Sequence, residues 1–528
     1  MTKKFIYEMK DFIKSKNALY CFISSLFFGV LSYLYLFMNN LHNWDNMYNT
    51  PAGYGAGTSS GRWFLSLIGE FVHKVWGKYN IPLFNGIVAI IILGVASCII
   101  VKIFDIKNKW LCALIGGITV VFPPIASTMI YIYTVGYYGL AILFVALGAL
   151  LVKELRILGF ILGSLLFSCS LGIYQAYYPL CASIFILILI KMCMDSKSDI
   201  KEIILTGFKF LFSLALGYIL YKFFLQCCLH LYNIELSPYQ GIDKMGKIDI
   251  SLIPSQIKDI FKSMITLTRD NYRSISITRI VQVSFLYIYI ISAIIIIIKF
   301  VNKILNKESA LKTILLCIFT IIFPIAVNFI VIMVPQGHVH TLMQMAFVCI
   351  FYLVILLVDK IDVSNLSENK INIFDKFKIN KVLLCSTLVI VFTVIVNYVW
   401  QTNGNYVSLY YNNRQIENYY ESLFTRVKSI EGYNQDMPIY FVGSEIDDRT
   451  FSHDSWSYTP FKYGENTYPI NSYSRGSYIA NYLGYAYTEI TKDSEEYKQY
   501  QDEIEKMERY PNDKSIKIID NKVFVRFE

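Results

Sequence analysis

The stretch IPLFNGIVAIIILGVASCIIV, residues 81–101, decides the fold. It carries no charged side chain. As a helix rising 1.5 Å per residue it is about 30 Å long, the thickness of the hydrocarbon core of a bilayer. A chain in hydrocarbon must satisfy its own backbone N–H and C=O groups, and a helix does so within one segment. The same reading gives ten more runs, near 18–38, 110–130, 137–152, 157–174, 177–194, 204–230, 281–299, 313–334, 341–358 and 382–400, for eleven expected spans. Composition agrees. The 528 residues are 55% hydrophobic and 16% charged, with a mean hydropathy of +0.45, outside the range of soluble domains. The expected class is mainly α, a polytopic transmembrane helical bundle.

Lysine and arginine set the expected orientation. Residues 1–17 hold Lys3, Lys4, Lys10, Lys14 and Lys16; the loops with Lys102, Lys107 and Lys109, with Lys153 and Arg156, with Lys191, Lys197 and Lys201, with Lys299, Lys303, Lys307 and Lys312, and at 359–381 fall on the same side. The short loops of the other side, near 131–136, 174–179 and 335–340, contain neither residue. Positive charge marks the cytoplasmic side, so the N-terminus is expected inside and, after eleven spans, the C-terminus outside. The apolar run begins only near residue 18 and no small-residue cleavage site follows it, so the first span is expected to be retained. The formal charge of +9 is a composite: +15 over residues 1–400 and −6 over 401–528. The basicity therefore belongs to membrane anchoring, and no nucleic-acid partner is expected.

Two units follow: a transmembrane domain over 1–400, with outer loops 39–80 and 231–280, and an extracytoplasmic domain over 401–528. In the first loop, residues 64–75 have helical apolar spacing suited to a membrane interface, and 255–268 repeats the pattern in the second. In the tail, residues 405–430 are expected as helix and 437–443 as a buried strand. Residues 516–519 and 523–527 flank Asp520-Asn521-Lys522, a hairpin signal, so a small α/β or α+β domain is expected. The eleven cysteines lie in or beside the spans, none beyond residue 400 and none in a CxxC pair. No disulfide framework is expected in the tail and no cysteine metal site anywhere.

The loop 39–80 concentrates the chemistry. Asp45 is its one acid besides Glu70. A carboxylate at a membrane surface can act as a general base toward a hydroxyl, or be a solvated loop residue or helix cap. Arg62 follows Gly53, Gly55, Gly57 and Gly61. A flexible glycine-rich loop ending in arginine can bind a phosphate through backbone N–H groups and the guanidinium; a juxtamembrane arginine held by lipid headgroups is the plainer account. The glycines follow no strand, so they are no dinucleotide fingerprint. Lys222, inside the seventh span, suits an anionic lipid phosphate or snorkels to the headgroups. Tyr131, Tyr133, Tyr137 and Tyr138, Tyr174, Gln175, Tyr177 and Tyr178, and Gln336, His338 and His340 collect at outer helix ends. The aromatic belt covers most of the tyrosines; it does not cover Gln175, His338 or His340. A His338–His340 metal pair lacks a third ligand, so no metal is expected.

Trp44-Asp45-Asn46, Gly55-Ala56-Gly57, Gly61-Arg62-Trp63-Phe64-Leu65 and Leu171-Gly172-Ile173-Tyr174-Gln175-Ala176 together resemble the bacterial GtrII-type glucosyltransferase family, polytopic enzymes related in architecture to the GT-C glycosyltransferases. The resemblance covers most of residues 18–400 and little of the tail. It implies a hexose, glucose by the family's type, moved from a polyprenyl-phosphate donor on the outer face of the cytoplasmic membrane. The acceptor would be a cell-envelope glycan: O-antigen, teichoic acid or wall polysaccharide. A separate flippase and a donor-synthesising transferase are implied as partners, and no cofactor. The family's first-loop acid maps onto Asp45 as the catalytic residue; many relatives have paired acids where this chain has Asp45-Asn46. Arg62, with Lys222, Arg269 and Arg273, would hold the donor phosphate. Trp44, Tyr174, Gln175, His338 and His340 would contact sugar. The alternative is a transporter or flippase for a lipid-linked sugar or envelope polymer, which predicts ionisable groups deep in several spans and paired repeats; Lys222 is the main such group here.

Overall fold

A computed structural model of the chain describes residues 2–527 except 196–197, 239–249, 270–277, 306–309, 335–338, 364–378, 444–469 and 471. The amphipathic helix α1 (Thr2–Ile13) leads into α2 (Lys16–Met38). The first loop carries α3 (Trp44–Asn49) and α4 (Trp63–Trp76), and α5 (Pro82–Phe104) follows. Next come α6 (Lys109–Val121), α7 (Pro123–Met129), α8 (Val135–Glu154), α9 (Ile157–Ile173), α10 (Tyr178–Met194) and α11 (Ile200–Tyr232). The bundle continues with α12 (Ile253–Thr266), α13 (Arg279–Leu305), α14 (Ala310–Val327), α15 (Cys349–Val363) and α16 (Ile379–Lys428).

Among the described residues, eight helices are long and apolar enough to cross a membrane, and the α6–α7 pair, bent by 47°, would be a ninth. The bend falls at Pro123-Pro124: two successive prolines remove two backbone donors and crowd the preceding turn, so the helix restarts there. The run expected at 157–174 is a 17-residue helix. The run expected at 341–358 opens in two 3₁₀ turns before α15. The run at 382–400 is only the first part of α16, whose 50 residues make a rod about 75 Å long that passes residues 400 and 401 without a break.

The helices α2, α5 and α6 pack together, α8 lies on α5 and α9, and α11 lies on α9. The span Gln175–Met194 is 72% buried over its most apolar window against 22% for α11, so α10 is enclosed and α11 rims the bundle. The lysine-bearing loops meet at one end. Lys107 and Asn108 donate their backbone N–H groups to the Asp359 carboxylate at 2.9–3.1 Å, Lys191 Nζ donates to the Phe104 carbonyl at 2.6 Å, and Lys312 reaches the carbonyls of Asp195 and Ser198. The first loop and the 130–134 turn meet at the other end of α6–α7.

The far end of α16 carries the tail. There a four-stranded sheet has the order β2-β1-β4-β3, with β1 (Ile439–Val442), β2 (Thr488–Ile490), β3 (Ile516–Ile519) and β4 (Lys522–Arg526). β1 runs parallel to both neighbours, and β3–β4 is the expected hairpin. Its turn residues Asp520 and Asn521 take φ of +46° and +63°, left-handed values that Asp and Asn tolerate. Alternate residues of β4 face different layers: Val523 and Val525 pack on Ile416, Tyr420 and Phe424 of α16, and Phe524 packs with Ile490, Tyr497 and Ile504 on the other side. The covering α17 (Ser472–Tyr478) lies against α3, and its π-helical extension Ile479–Leu483 lies against α16.

Candidate active site

The short helix α3 is held on every side but one. At 100° per residue, Asn46, Met47 and the Asp45/Tyr48/Asn49 group point in three directions. Asn43 caps the helix, its side-chain oxygen accepting the Asn46 N–H at 2.9 Å. Asn46 faces the turn between α7 and α8: its oxygen accepts the Ile132 N–H at 3.1 Å and its amide N–H donates to the Ile130 carbonyl. A carboxylate has no proton to give that carbonyl, so the amide at position 46 clips α3 to the bundle where paired acids were expected from the family. Met47, fully buried, sits in the core of the tail with Ile416, Tyr420 and Tyr478. Just upstream, Asn413 of α16 grips His42 through both backbone groups, at 3.0 and 2.8 Å. Burial pushes the His42 imidazole down to about 4, so a neutral ring lies tilted against Tyr482, with centroids 4.4 Å apart.

The remaining face presents Asp45. Burial pushes its carboxyl up from 3.8 to about 6, against the pull of the Arg62 guanidinium. Among the described residues no hydrogen bond or ion pair reaches the Asp45 carboxylate. Arg62 lies 5.2 Å from the Tyr174 ring centroid and 6.0 Å from that of Tyr138, two rings stacked on each other at 4.5 Å. Its Nε is buried with no hydrogen-bond partner among the described residues. Tyr133 completes the wall, close enough to feel both charges. Asp45 and Arg62 are thus electrostatically coupled but not bonded, and each retains capacity for a third group.

The glycine-rich loop is tied by its own hydrogen bonds. Gly57 C=O accepts from the N–H groups of Ser60 (2.9 Å) and Arg62 (3.2 Å), and Thr58 C=O from Gly61 N–H (2.9 Å). Thr58 N–H donates to Ser66 Oγ at 2.9 Å. These bonds occupy the N–H groups of Thr58, Ser60, Gly61 and Arg62, so of the expected anion donors at this end of the loop the Arg62 guanidinium is the one left open. Gly61 sits at φ +72°. A Cβ there would come within 2.7 Å of Gln175 Nε2 and Tyr221 Oη. Gln175 Nε2 itself donates to the Ser60 carbonyl at 3.0 Å and to Tyr221 Oη at 3.3 Å, so it fastens the loop to α11. Trp63 lies over Gly172, where a Cβ would come within 2.7 Å of the indole.

The structure gathers Asp45, Arg62, Tyr174 and Gln175, and keeps Trp44 half-buried at the start of α3. Lys222 stands on α11 with Nζ 5.7 Å from the Tyr218 ring, Arg269 is exposed just past the end of α12, and His340 is half-buried before a 3₁₀ turn. Arg273, Gln336 and His338 lie outside the described residues. Among the described residues no three His, Cys, Asp or Glu side chains converge as a metal site. Tyr133 and Tyr138, assigned to the aromatic belt on composition, line the Asp45–Arg62 gap instead. The contacts of His42 with Asn413 and Tyr482 carried no sequence signal.

The family model described as Glucosyl transferase GtrII matches residues 34–351. The chain belongs to the GtrII glucosyl transferase family. That match makes it a glycosyltransferase acting between a sugar donor and a glycan acceptor. The matched stretch contains α3, the glycine-rich loop, Tyr133, Tyr138, Tyr174 and Gln175, and it ends at the start of α15, short of the tail. No curated protein and no solved structure matches the chain.

Proposed function

We propose that this GtrII protein is a multi-pass enzyme of the bacterial cytoplasmic membrane, with its N-terminus inside and its tail outside. It moves glucose from a polyprenyl-phosphate donor to a cell-envelope glycan on the outer face. Asp45 takes the proton of the acceptor hydroxyl as that oxygen attacks the anomeric carbon; the bond from that carbon to the phosphate oxygen breaks, and polyprenyl phosphate leaves against Arg62. The reading is carried by the coupled but unbonded Asp45–Arg62 pair within a wall of tyrosines. A base poised at about 6 is ionised at neutral pH and basic enough to accept a proton in the transition state. A buried guanidinium stabilises charge on a leaving phosphate more strongly than an exposed one. A polyprenyl donor suits a site at the membrane end of a bundle, and a separate flippase and donor-synthesising transferase would supply it.

The test is reconstitution in proteoliposomes with polyprenyl-phosphate glucose and the host's purified envelope polysaccharide. Wild type is expected to transfer glucose, and Asp45→Asn to lose about a thousandfold in rate, within the range of a general base. Wild-type-like transfer by that variant would overturn the assignment of Asp45.

A further inference from the structure

On α3 the residues one turn from Asp45 are Tyr48 and Asn49, at i+3 and i+4 and so on the same face. Tyr48 stacks on Tyr473 of α17, with ring centroids 4.1 Å apart and planes 24° apart. The two residues stay 49% and 50% exposed. The neighbouring aromatics are less open: Tyr478 is 2% exposed and packs with Met47, while Tyr482, half-buried, lies tilted against His42 and meets Thr50 Oγ1 at 3.0 Å. Asn481 adds an amide bond to the Thr50 carbonyl at 2.9 Å. The joint is therefore held without the exposed pair, which leaves aromatic surface open beside the candidate base.

We propose that the Tyr48–Tyr473 pair is a platform for a pyranose ring of the acceptor glycan, so that the tail completes the acceptor site. An aromatic face carries a negative quadrupole, and the C–H-rich face of a pyranose carries positively polarised hydrogens; the two surfaces match in shape and charge. A rigid stacked pair needs little ordering to receive a flat ring. Its place on the Asp45 face of α3 brings a bound acceptor's hydroxyl toward the base while the donor phosphate lies on the Arg62 side. The inference rests on the glycosyl-transfer reading and adds to it the part of the chain beyond the family match.

The experiment uses full-length protein in proteoliposomes and the host's purified envelope polysaccharide, in two arms. In the kinetic arm, Tyr473→Ala is expected to raise the acceptor KM at least tenfold and leave the donor KM within twofold, while Tyr473→Trp keeps the acceptor KM near wild type. In the binding arm, surface plasmon resonance of the polysaccharide on the immobilised protein without donor is expected to weaken at least tenfold in Tyr473→Ala and Tyr48→Ala and to persist in Asp45→Asn. An unchanged acceptor KM and unchanged binding in Tyr473→Ala overturn the platform. Equal rises in both KM values, together with a lowered melting temperature, show a structural joint and overturn it as well. If wild type binds the polysaccharide through Tyr473 but transfers nothing, the transfer reading fails and the platform stands.

Discussion

Two aspartates are drawn into this bundle, one at each end of the α6–α7 rod, and they are treated in opposite ways. Asp359 is 1% exposed, and its carboxylate is saturated by the N–H groups of Lys107 and Asn108. It closes the turn before α6 and ties α15 to it, as a buried anion must be closed to persist. Asp45 has an equally fixed backbone, with Asn43, Asn46, Met47 and Asn413 holding α3 and its approach, yet its carboxylate has no hydrogen bond among the described residues. The fold pairs the fully buried acid with backbone donors and leaves the half-buried one without a partner among the described residues, which accords with the role proposed for Asp45. The same contrast separates the cations: Lys312 donates to two carbonyls, whereas Arg62 lies over two tyrosine rings with no partner for its Nε among the described residues.

The sharpest way to break that comparison is to neutralise each acid. Asp45→Asn is expected to abolish transfer by about a thousandfold while its melting temperature stays level or rises. Asp359→Asn is expected to keep transfer within a few-fold and to lower stability by about 2 kcal/mol, the scale of charge-assisted hydrogen bonds, read as a drop of several degrees in a detergent melting curve. Exchanged outcomes, with the catalytic loss at Asp359, would dissolve the distinction.

Arg62 comes next. Arg62→Gln is expected to lower kcat/KM for the polyprenyl donor about a hundredfold. Arg62→Lys is expected to recover only part of it, because an ammonium keeps the charge but not the planar group stacked on Tyr174. Full recovery with lysine would show that the stacking geometry is immaterial.

The pH profile joins the two groups. A base works ionised, and Asp45 titrates at about 6, so kcat/KM is expected to fall about tenfold per pH unit on the acid side of 6 and to level off above about 7. Arg62 lowers the Asp45 value, so Arg62→Gln should move the acid limb to higher pH. Stability has the opposite sign. The native state holds this proton more tightly than the unfolded chain from pH 3.8 to about 6, so ionising Asp45 costs stability as pH rises through that window. Any thermal gain in Asp45→Asn should therefore be present above pH 6 and gone below 4. A midpoint near 4 in the rate profile would mean that Asp45 is either solvated or not the base.

How much of this was legible depended on the range of the interaction. Hydrocarbon-length runs announced the helices, and the Asp520-Asn521 turn announced its hairpin, because both are encoded within a few residues. Asp45 and Arg62 stood out as charges in an apolar, glycine-rich setting. What held them did not stand out. Nothing near Asn46 shows that its amide serves two backbone groups about 85 residues away, and nothing near His42 points to Asn413. The glycines had a second reason that composition did not show: at Gly61 a left-handed φ and close packing call for glycine on their own account.

That last point yields the smallest effect and the finest test. Gln175 and Gly61 share one contact: the Gln175 amide reaches the Ser60 carbonyl because position 61 has no side chain. Gln175→Ala removes that bond and the one to Tyr221, while Thr58–Ser66 and the Trp63–Gly172 packing still hold the loop, so a loss of at most about thirtyfold in kcat/KM is expected from two bonds at roughly 1 kcal/mol each. Gly61→Ala forces a left-handed alanine and displaces the Gln175 amide, and should cost more. If the two residues act through one contact, the double variant will be no worse than Gly61→Ala, a coupling readable in a double-mutant cycle. Additive losses would mean that Gln175 reaches the reaction by another route, the direct contact with sugar that its place beside Tyr174 first suggested.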